Sequence, residues 1–336
     1  MRKACLVIPA PYNNGRVFER GNTDLNRDDC LKFYFDLQDI FKGKNIDLNT
    51  HDINLPGACD FIIYNEMPKN LPGSSDVGKS ILLLFECAVI KPENWVLSKH
   101  NHFSKIFTWD DRFVDGEKYF KMNFAHSNSI SEFLSFKEKT KFCTLIASNK
   151  VITHELELYS RRLEAIRWFE NNHPDQLEFY GFGWDLLTFD ESKLTRRLNR
   201  VSFLKGLRRL LKSEHPSYKG IVAQKAHVLR QYKFSICYEN AQEIPGYITE
   251  KIFDSMCAGC IPIYWGAPNI SDYIPDRCFI NRLDFNTYED LYQYLNEMSQ
   301  EEYDSRLESI KSFLKSAGNI AFTPFYNAHA IANYLT

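Results

Sequence analysis

The sequence predicts an α/β protein built from two Rossmann-like halves, and three observations lead to this class. Short runs rich in β-branched and aromatic residues alternate with longer segments of helical period, a pattern typical of parallel sheets covered by helices. This alternation begins twice, once near the amino terminus and again after a polar stretch around 126–140. The chain also has 336 residues, more than a single core usually holds.

In the first half we predict four strands and one helix. Each strand is an apolar run bounded by polar or turn-forming residues, and the helix has apolar residues at helical spacing. The predicted strands are 4–10, 60–66, 80–86 and 105–109, and the helix between the first two covers 28–43.

The second half repeats this organisation and then becomes mainly helical. Its predicted strands are again apolar runs, and its helices are segments with apolar residues at helical spacing. The strands are 141–148, 177–182, 233–239 and 261–265, and the helices cover about 155–172, a segment starting near Thr249, 287–298, 300–316 and 321–336.

We divide the chain into three parts. Residues 1–138 form the N-terminal Rossmann-like domain, and residues 139–318 form the C-terminal one. Residues 319–336 form a final helix that we expect to pack back on the first domain. Open α/β sheets bind ligands beyond the carboxyl ends of their strands, so we expect the chemistry in a cleft between the two domains.

Composition excludes several classes of protein. Lys and Arg together number 41 and Asp and Glu 43, so no global charge favours nucleic acid as a partner. No apolar run approaches the roughly 20 residues that a membrane span needs. The nine cysteines are odd in number, and several lie in apolar segments, which favours reduced thiols in the cytoplasm.

Charge is concentrated in one stretch. Residues 193–230 contain eleven Lys or Arg and a single acid, Glu214. A solvated helix pair is the simpler interpretation. The alternative is a peripheral surface that meets anionic lipid at the inner face of the membrane, helped by leucines at amphipathic spacing.

Two formal motifs have an unsuitable context. Residues 73–80 satisfy the Walker A pattern of nucleotide-binding P-loops, but an apolar strand follows them where a helix is required. Cys257 and Cys260 match C-x-x-C but have no second pair for zinc, so we predict a packed helix end. An ATPase is therefore the last of our alternatives.

Residues 232–270 carry the strongest signal for chemistry. A strand ends near Asn240, a loop with Pro245 and Gly246 follows, and a helix starts near Thr249. A strand, a loop and a helix N-terminus in this order place free backbone N–H groups and a positive dipole end against a pyrophosphate.

Two charged residues open that helix. Lys251 in the first turn is unfavourable for the helix dipole, which makes sense if a bound anion offsets its charge. Glu250 beside it can accept hydrogen bonds from ribose hydroxyls. An ordinary capped helix with a surface Glu–Lys pair explains the same spacing equally well, so both interpretations stay open.

This segment resembles the signature of the α1,3/α1,4-fucosyltransferases, glycosyltransferase family 10. Upstream, residues 141–149 resemble the first strand of that family's donor domain, and a helix with Arg161 and Arg162 follows, as the family pattern requires. The matching residues of the signature are Tyr238-Glu239-Asn240, Tyr247-Ile248-Thr249-Glu250-Lys251, Ala258-Gly259 and Pro262-Ile263-Tyr264-Trp265-Gly266.

The resemblance implies a GT-B architecture, in which two Rossmann-like domains face each other across a cleft. It implies that the C-terminal domain binds GDP-fucose and the N-terminal domain binds the acceptor. It implies no protein-bound metal, in keeping with the absence of Asp-x-Asp, and leaves open whether Mn²⁺ or Mg²⁺ stimulates the reaction. The implied donor-binding residues are Arg162 (with Arg161 as its competitor), Asn240, Tyr247, Thr249, Glu250 and Lys251.

The resemblance also implies an inverting transfer that needs a carboxylate base. We choose Glu86, which ends an apolar strand of the N-terminal domain, with Glu66 as the runner-up. The expected acceptor is N-acetylglucosamine in a Gal-GlcNAc unit of a surface polysaccharide or lipopolysaccharide. Two alternatives remain: transfer from another nucleotide sugar, and a catalytically silent glycan-binding protein.

Overall fold

Two parallel β-sheets organise the chain. The computed structural model describes residues 1–126, 129–184 and 215–335. The first sheet has six strands: β1 (Arg2–Val7), β2 (Ile46–Thr50), β3 (Phe61–Asn65), β4 (Ser80–Leu84), β5 (Lys105–Thr108) and β6 (Tyr119–Lys121). Their spatial order is β2-β1-β3-β4-β5-β6, and every neighbouring pair is parallel.

The second sheet has five described strands and lies in the C-terminal half. They are β7 (Lys141–Ile146), β8 (Leu177–Tyr180), β9 (Tyr232–Tyr238), β10 (Ile261–Trp265) and β11 (Ile280–Asn281). Their order is β11-β10-β9-β7-β8, again with parallel neighbours. The predicted α/β class with two Rossmann-like units is confirmed.

Helices cover the faces of both sheets. Those described are α1 (Lys32–Gly43), α2 (Tyr159–Asn172), α3 (Lys225–Leu229), α4 (Glu250–Cys257), α5 (Tyr288–Glu297), α6 (Gln300–Leu314), α7 (Ala317–Ile320) and α8 (Pro324–Leu335). Helix α8 contributes Ala328, Ile331 and Ala332 to the core around the first sheet. In the part of the chain that the structure describes, no helix has the length and hydropathy needed to cross a bilayer.

The structure differs from the sequence predictions at three short strands, two short helices and two helix starts. Helices α3 and α7 were not predicted, and α2 begins at Tyr159 rather than near 155. Strands β2, β6 and β11 were not predicted, because β6 and β11 have only three and two residues and β2 alternates buried and half-buried positions at the sheet edge. Helix α1 begins four positions later than predicted. The cause is the backbone of Asp28 and Asp29, whose φ angles of 52° and 59° lie in the left-handed region and cannot continue a helix.

The Walker-like segment and the C-x-x-C pair both have structural roles. The Walker-like segment leads directly into β4, and the Lys79 ammonium donates to the carbonyl oxygens of Pro56 and Cys59. The C-x-x-C pair is a helix end, as predicted: Cys257 ends α4, Gly259 follows at φ +67°, and Cys260 is buried.

A cluster of polar and aromatic contacts joins the two domains beside the cleft. The rings of Trp109 and Tyr247 lie 4.5 Å apart between their centroids. The Asp111 carboxylate accepts from Asn269 Nδ2 at 2.9 Å and from the Tyr273 hydroxyl at 2.6 Å. We call Asp111, Asn269 and Tyr273 the interdomain latch, because each of these bonds crosses the domain boundary.

Candidate active site

A cleft opens at the carboxyl ends of β7, β8 and β9, where ligands of parallel sheets usually bind. Its cavity volume is about 310 Å³. Its wall combines the loop after β7, the end of β9, the first turns of α4 and Arg27 from the N-terminal domain. The polar and charged lining residues described are Arg27, Ser148, Lys150, Arg162, Lys225, Ser235, Asn240, Glu250, Lys251, Asp254 and Ser255.

The charge of this lining favours an anion. Cationic side chains outnumber carboxylates among the described lining residues, and some of the cations are already paired. Lys225 Nζ lies 2.7 Å from Asp254, and Arg27 Nε lies 3.2 Å from Asp28. The lining cations are Arg27, Lys150, Arg162, Lys225 and Lys251, against the carboxylates of Glu250 and Asp254.

The N-terminus of α4 is fixed by a carboxylate that sequence reasoning did not single out. Glu239, fully buried at the end of β9, accepts from the Thr249 backbone N–H at 2.8 Å and from its hydroxyl at 2.6 Å. It also accepts from Lys251 Nζ at 3.2 Å. Glu239 was part of the quoted signature, but a sequence does not show which of its polar residues is buried.

Lys251 and Glu250 control each other's protonation. Burial lowers the pKa of Lys251, but the carboxylates of Glu239 and Glu250 outweigh burial and hold it above its usual range. Burial raises the pKa of Glu250, but the charges of Lys251 and Lys225 outweigh it and hold the pKa well below its usual range. Both groups are therefore charged at neutral pH, as an ion pair at the cleft surface.

The adjacent arginines of α2 face opposite directions. Arg162 is buried and donates to the carbonyl oxygens of Tyr238 and Glu239 and to Asn240 Oδ1, at 2.7 to 3.2 Å. Its Nη1 donates to no described residue, and the side chain lines the cleft. Arg161 pairs with Glu164 at 2.7 Å and is absent from the lining.

The remaining predicted donor-binding residues divide into two groups. Asn240 lines the cleft and is held by Arg162 and by the Tyr247 hydroxyl, to which its Nδ2 donates at 3.3 Å. Tyr247 and Thr249 are 0% and 1% exposed and do not line the cleft. In this conformation they support the wall from behind.

Gly181 shows how closely two backbone segments approach beneath the cleft. A Cβ atom there would lie 1.8 Å from the carbonyl oxygen of Ala147, and the φ angle of Gly181 is +142°. Only glycine fits this position at the end of β8. Sequence reasoning did not single it out.

Glu86 follows β4 and faces the C-terminal domain. Burial raises the pKa of its carboxyl, while Lys251 and Lys150 from across the cleft lower it and Glu250 raises it. No described residue donates a hydrogen bond to the Glu86 carboxylate, whereas its main-chain atoms are all bonded. The runner-up, Glu66, is 8% exposed and faces the interior of the N-terminal domain.

A second cavity of about 460 Å³ adjoins the first. The two cavities share Arg27, Lys225, Glu250 and Asp254. The second is walled mainly by the N-terminal domain, including Phe85, which precedes Glu86. Its other described lining residues are Asp28, Asp29, Cys30, Phe33, Tyr34, Phe124, Ala125, His126 and Pro324.

A family model described as glycosyltransferase family 10 (fucosyltransferase), C-terminal part, matches residues 192–308. Over these residues the chain is similar to glycosyltransferase family 10. The match includes Asn240, Glu250 and Lys251 of the cleft. It also covers residues outside those that the structure describes, among them 193–214 of the basic stretch.

Curated fucosyltransferases align with a short part of this chain. The α-(1,3)-fucosyltransferase FucT of Helicobacter pylori is 40% identical over 74 residues, which are 22% of this chain and 15% of that protein. The GDP-fucose protein O-fucosyltransferase 3 of Xenopus laevis is 36% identical over 77 residues, 22% of this chain and 16% of that protein. The chain thus covers well under a fifth of the length of these relatives.

Solved structures extend the similarity to the whole fold. A crystal structure of an α1,3-fucosyltransferase superposes with a TM-score of 0.56 at 16% identity, covering 99% of this chain and 90% of that one. The structure of an α1,3-fucosyltransferase with GDP gives a TM-score of 0.53 at 15% identity, with coverage of 95% and 90%. These neighbours show that the fold is GT-B, as the family 10 resemblance implied.

Proposed function

We propose that this protein is an inverting α-fucosyltransferase that moves L-fucose from GDP-fucose to N-acetylglucosamine of a Gal-GlcNAc glycan. The observation that carries the proposal is the proximity of the Glu86 carboxyl to Lys251 and Lys150, two cations that line the cleft. One domain offers a carboxylate without a hydrogen-bond donor, and the other offers cations with unused N–H groups. A displacement that generates an anionic leaving group needs both.

The donor half of the proposal rests on the cationic cleft. Arg162 Nη1 has no acceptor among the described residues, and two of the three Lys251 protons are used by Glu239 and Thr249. The remaining N–H groups are available to pyrophosphate oxygens. The nearby Glu250 carboxylate, 40% exposed, can accept from ribose hydroxyls.

The reaction is a single displacement at the anomeric carbon. The acceptor hydroxyl oxygen forms a bond to fucose C1 while the bond from C1 to the β-phosphate oxygen breaks. The hydroxyl proton moves to the Glu86 carboxylate, and the electron pair of the broken bond leaves with GDP. Lys251 and Arg162 stabilise that charge, and the β-linked donor gives an α-fucoside.

The second cavity is our proposed acceptor site. It adjoins the donor cleft and contains Phe85, the residue before the proposed base. Aromatic rings such as Phe33 and Phe124 offer apolar faces for a sugar ring, and Asp28 and Asp29 add carboxylate oxygens that can accept from hydroxyls. The α1,3 or α1,4 linkage, the surface polysaccharide or lipopolysaccharide context and any Mn²⁺ or Mg²⁺ stimulation belong to this proposal as well.

The test measures GDP release with GDP-fucose, UDP-galactose and GDP-mannose, with and without N-acetyllactosamine. Release from GDP-fucose that depends on the acceptor supports the proposal. Glu86→Gln should then lower kcat at least about 100-fold and leave GDP affinity unchanged. Exposed Glu93→Gln is the matched control and should keep full activity. Turnover by Glu86→Gln would exclude Glu86 as the base, and GDP binding without release from any donor would favour the silent alternative.

We further propose peripheral contact with an anionic membrane through 193–230, which carries eleven basic residues and one acid. Vesicles of anionic lipid should float the protein at low salt and release it at high salt. Equal flotation with neutral vesicles, or none at low salt, would contradict this.

A further inference from the structure

Side chains hold every main-chain polar atom of the strand end that carries Glu86. The N–H groups of Phe85 and Glu86 both donate to Glu66 Oε1, at 3.0 and 2.9 Å. The Phe85 carbonyl oxygen accepts from the Trp109 indole at 2.7 Å, and the Glu86 carbonyl oxygen accepts from the Trp95 indole at 3.0 Å. The backbone of this dipeptide is therefore fixed from both sides, although it lies beyond the last residue of β4.

Glu66 is itself tightly held. Its Oε2 accepts from Asn94 Nδ2, which also donates to the Glu86 carbonyl oxygen at 3.1 Å. The Glu66 backbone N–H donates to the Leu83 carbonyl oxygen at 2.9 Å. Its φ angle of 75° lies in the left-handed region, which non-glycine residues keep only when their surroundings demand it.

These contacts separate the roles of the two carboxylates that the sequence could not separate. Both Glu66 oxygens accept hydrogen bonds inside the N-terminal domain, and the side chain has almost no exposure. The Glu86 carboxylate accepts none from described residues and faces Lys251, Lys150 and Glu250 across the cleft, with Lys91 on its own side.

We infer that Glu66 is a positioning residue: it fixes the backbone of Phe85, which lines the second cavity, and of Glu86, and thereby sets where the Glu86 carboxylate lies. The inference rests on the proposed function, because positioning matters only if Glu86 is the base. A displacement of about 1 Å in such a group is enough to cost roughly 100-fold in rate.

The contacts define a reciprocal pair of variants. In Glu66→Gln the amide oxygen can still accept from both main-chain N–H groups, but its NH₂ faces the NH₂ of Asn94. In Asn94→Asp two carboxylates face each other. The double variant Glu66→Gln/Asn94→Asp restores a donor–acceptor pair between positions 66 and 94 and keeps an oxygen for the Met67 N–H, which Asn94 Oδ1 accepts at 2.9 Å. Like the single Asn94→Asp variant, it loses the donor from position 94 to the Glu86 carbonyl oxygen, which keeps only the Trp95 indole.

We expect each single variant to lower kcat about tenfold with little change in the Kd for GDP, and the double variant to recover at least half of the loss. Trp95→Phe, which removes a donor to the Glu86 carbonyl oxygen, should also lower kcat. Glu93→Gln is again the matched control.

The second measurement does not depend on turnover. The titration of Glu86, followed by ¹³C-carboxyl NMR and assigned with Glu86→Gln, should shift in both single variants and return towards wild type in the double variant. If wild type binds GDP but transfers nothing, the proposed function fails while this titration still tests the positioning.

Three outcomes would overturn the inference. One is unchanged kcat and unchanged Glu86 titration in both single variants. Another is a double variant whose loss in kcat is as large as the product of the losses in the two single variants. The third is a parallel loss of kcat and GDP affinity, because that result indicates only general damage to the fold.

Discussion

The Glu86 carboxyl lies among four charged groups that act on its protonation in opposite directions. Burial raises its pKa above 4.5, Lys251, Lys150 and Lys91 lower it, and Glu250 raises it. As pH falls through a raised pKa the carboxylate becomes protonated, and a base is lost at a higher pH than for an ordinary glutamate.

We therefore expect kcat to fall as the pH is lowered, and the midpoint of this fall should lie above pH 4.5. Lys91→Gln removes one positive charge near Glu86, so the midpoint should move to higher pH by about 0.5 units. Lys99→Gln, at a half-buried lysine farther along the same segment, should leave the profile unchanged. A shift to lower pH in Lys91→Gln would contradict the assignment of this limb to Glu86.

The two arginines at positions 161 and 162 offer a matched comparison on one helix. Arg162→Lys replaces a planar group that bonds three acceptors with a single ammonium, so we expect a loss of about 3 kcal/mol in the free energy of unfolding and weaker GDP binding. Arg161→Lys alters an exposed ion pair with Glu164 and a contact of the guanidinium with the Trp265 ring, so it should change the stability and the GDP affinity by less. Thermal unfolding and calorimetric titration with GDP measure the two effects, and equal effects of the two variants would contradict the assigned roles.

At the scale of elements, Gly246 is where the loop before α4 meets the N-terminal domain. Its φ angle is +80°, and a Cβ atom would lie 2.3 Å from the carbonyl oxygen of Trp109. The backbone N–H of Gly246 donates to Asn269 Oδ1 at 2.9 Å. No side chain fits between these two main-chain segments.

Gly246→Ala should destabilise the protein by about 3 kcal/mol and lower the affinity for GDP, because the loop must move and α4 with it. Gly116→Ala is the control: its φ angle of +76° is nearly the same, but nothing lies within 4 Å of the added Cβ. Chemical denaturation gives the free energy of unfolding of each variant. The difference between the two losses is the cost of the clash with Trp109, because both variants share the cost of the left-handed backbone conformation. Equal losses in the two variants would show that the contact with Trp109 is unimportant.

Elements with strong local patterns were predictable, and those fixed by tertiary contacts were not. Strand β9 and helix α4 follow from an apolar run, a capping position at Thr249 and a glycine at 259. Strand β2 forms because it pairs with β1 at the edge of the first sheet. Its mixed polar and apolar sequence does not indicate this pairing. Similarly, the sequence placed two glutamates at neighbouring strand ends, but only the hydrogen bonds distinguish Glu66 from Glu86.

For the whole molecule, we expect the interdomain latch to set the position of Glu86 relative to the cleft. Asn269 bonds both Asp111 of the N-terminal domain and the Gly246 N–H of the donor loop. The Lys121 ammonium adds bonds to Asp111 and Tyr273, at 2.6 and 2.7 Å. The latch therefore connects the two sheets through one small cluster of polar side chains.

Asn269→Ala removes both of its bonds and should cost about 2 kcal/mol of stability. Because the donor cleft is formed mainly by the C-terminal domain, we expect GDP affinity to stay within about twofold while kcat falls about tenfold. Exposed Asn333→Ala on α8 is the control. A loss of GDP affinity as large as the loss of kcat would show that the latch shapes the nucleotide site itself.

None of the nine cysteines forms a disulfide, only Cys30 is exposed, and it lines the second cavity. Burial raises the pKa of its thiol, so little thiolate forms at neutral pH and alkylation needs mildly alkaline conditions. A maleimide fluorophore would thus attach at a single position of the native protein, without any cysteine having to be removed. Its emission would report directly when a sugar enters or leaves the space between the domains.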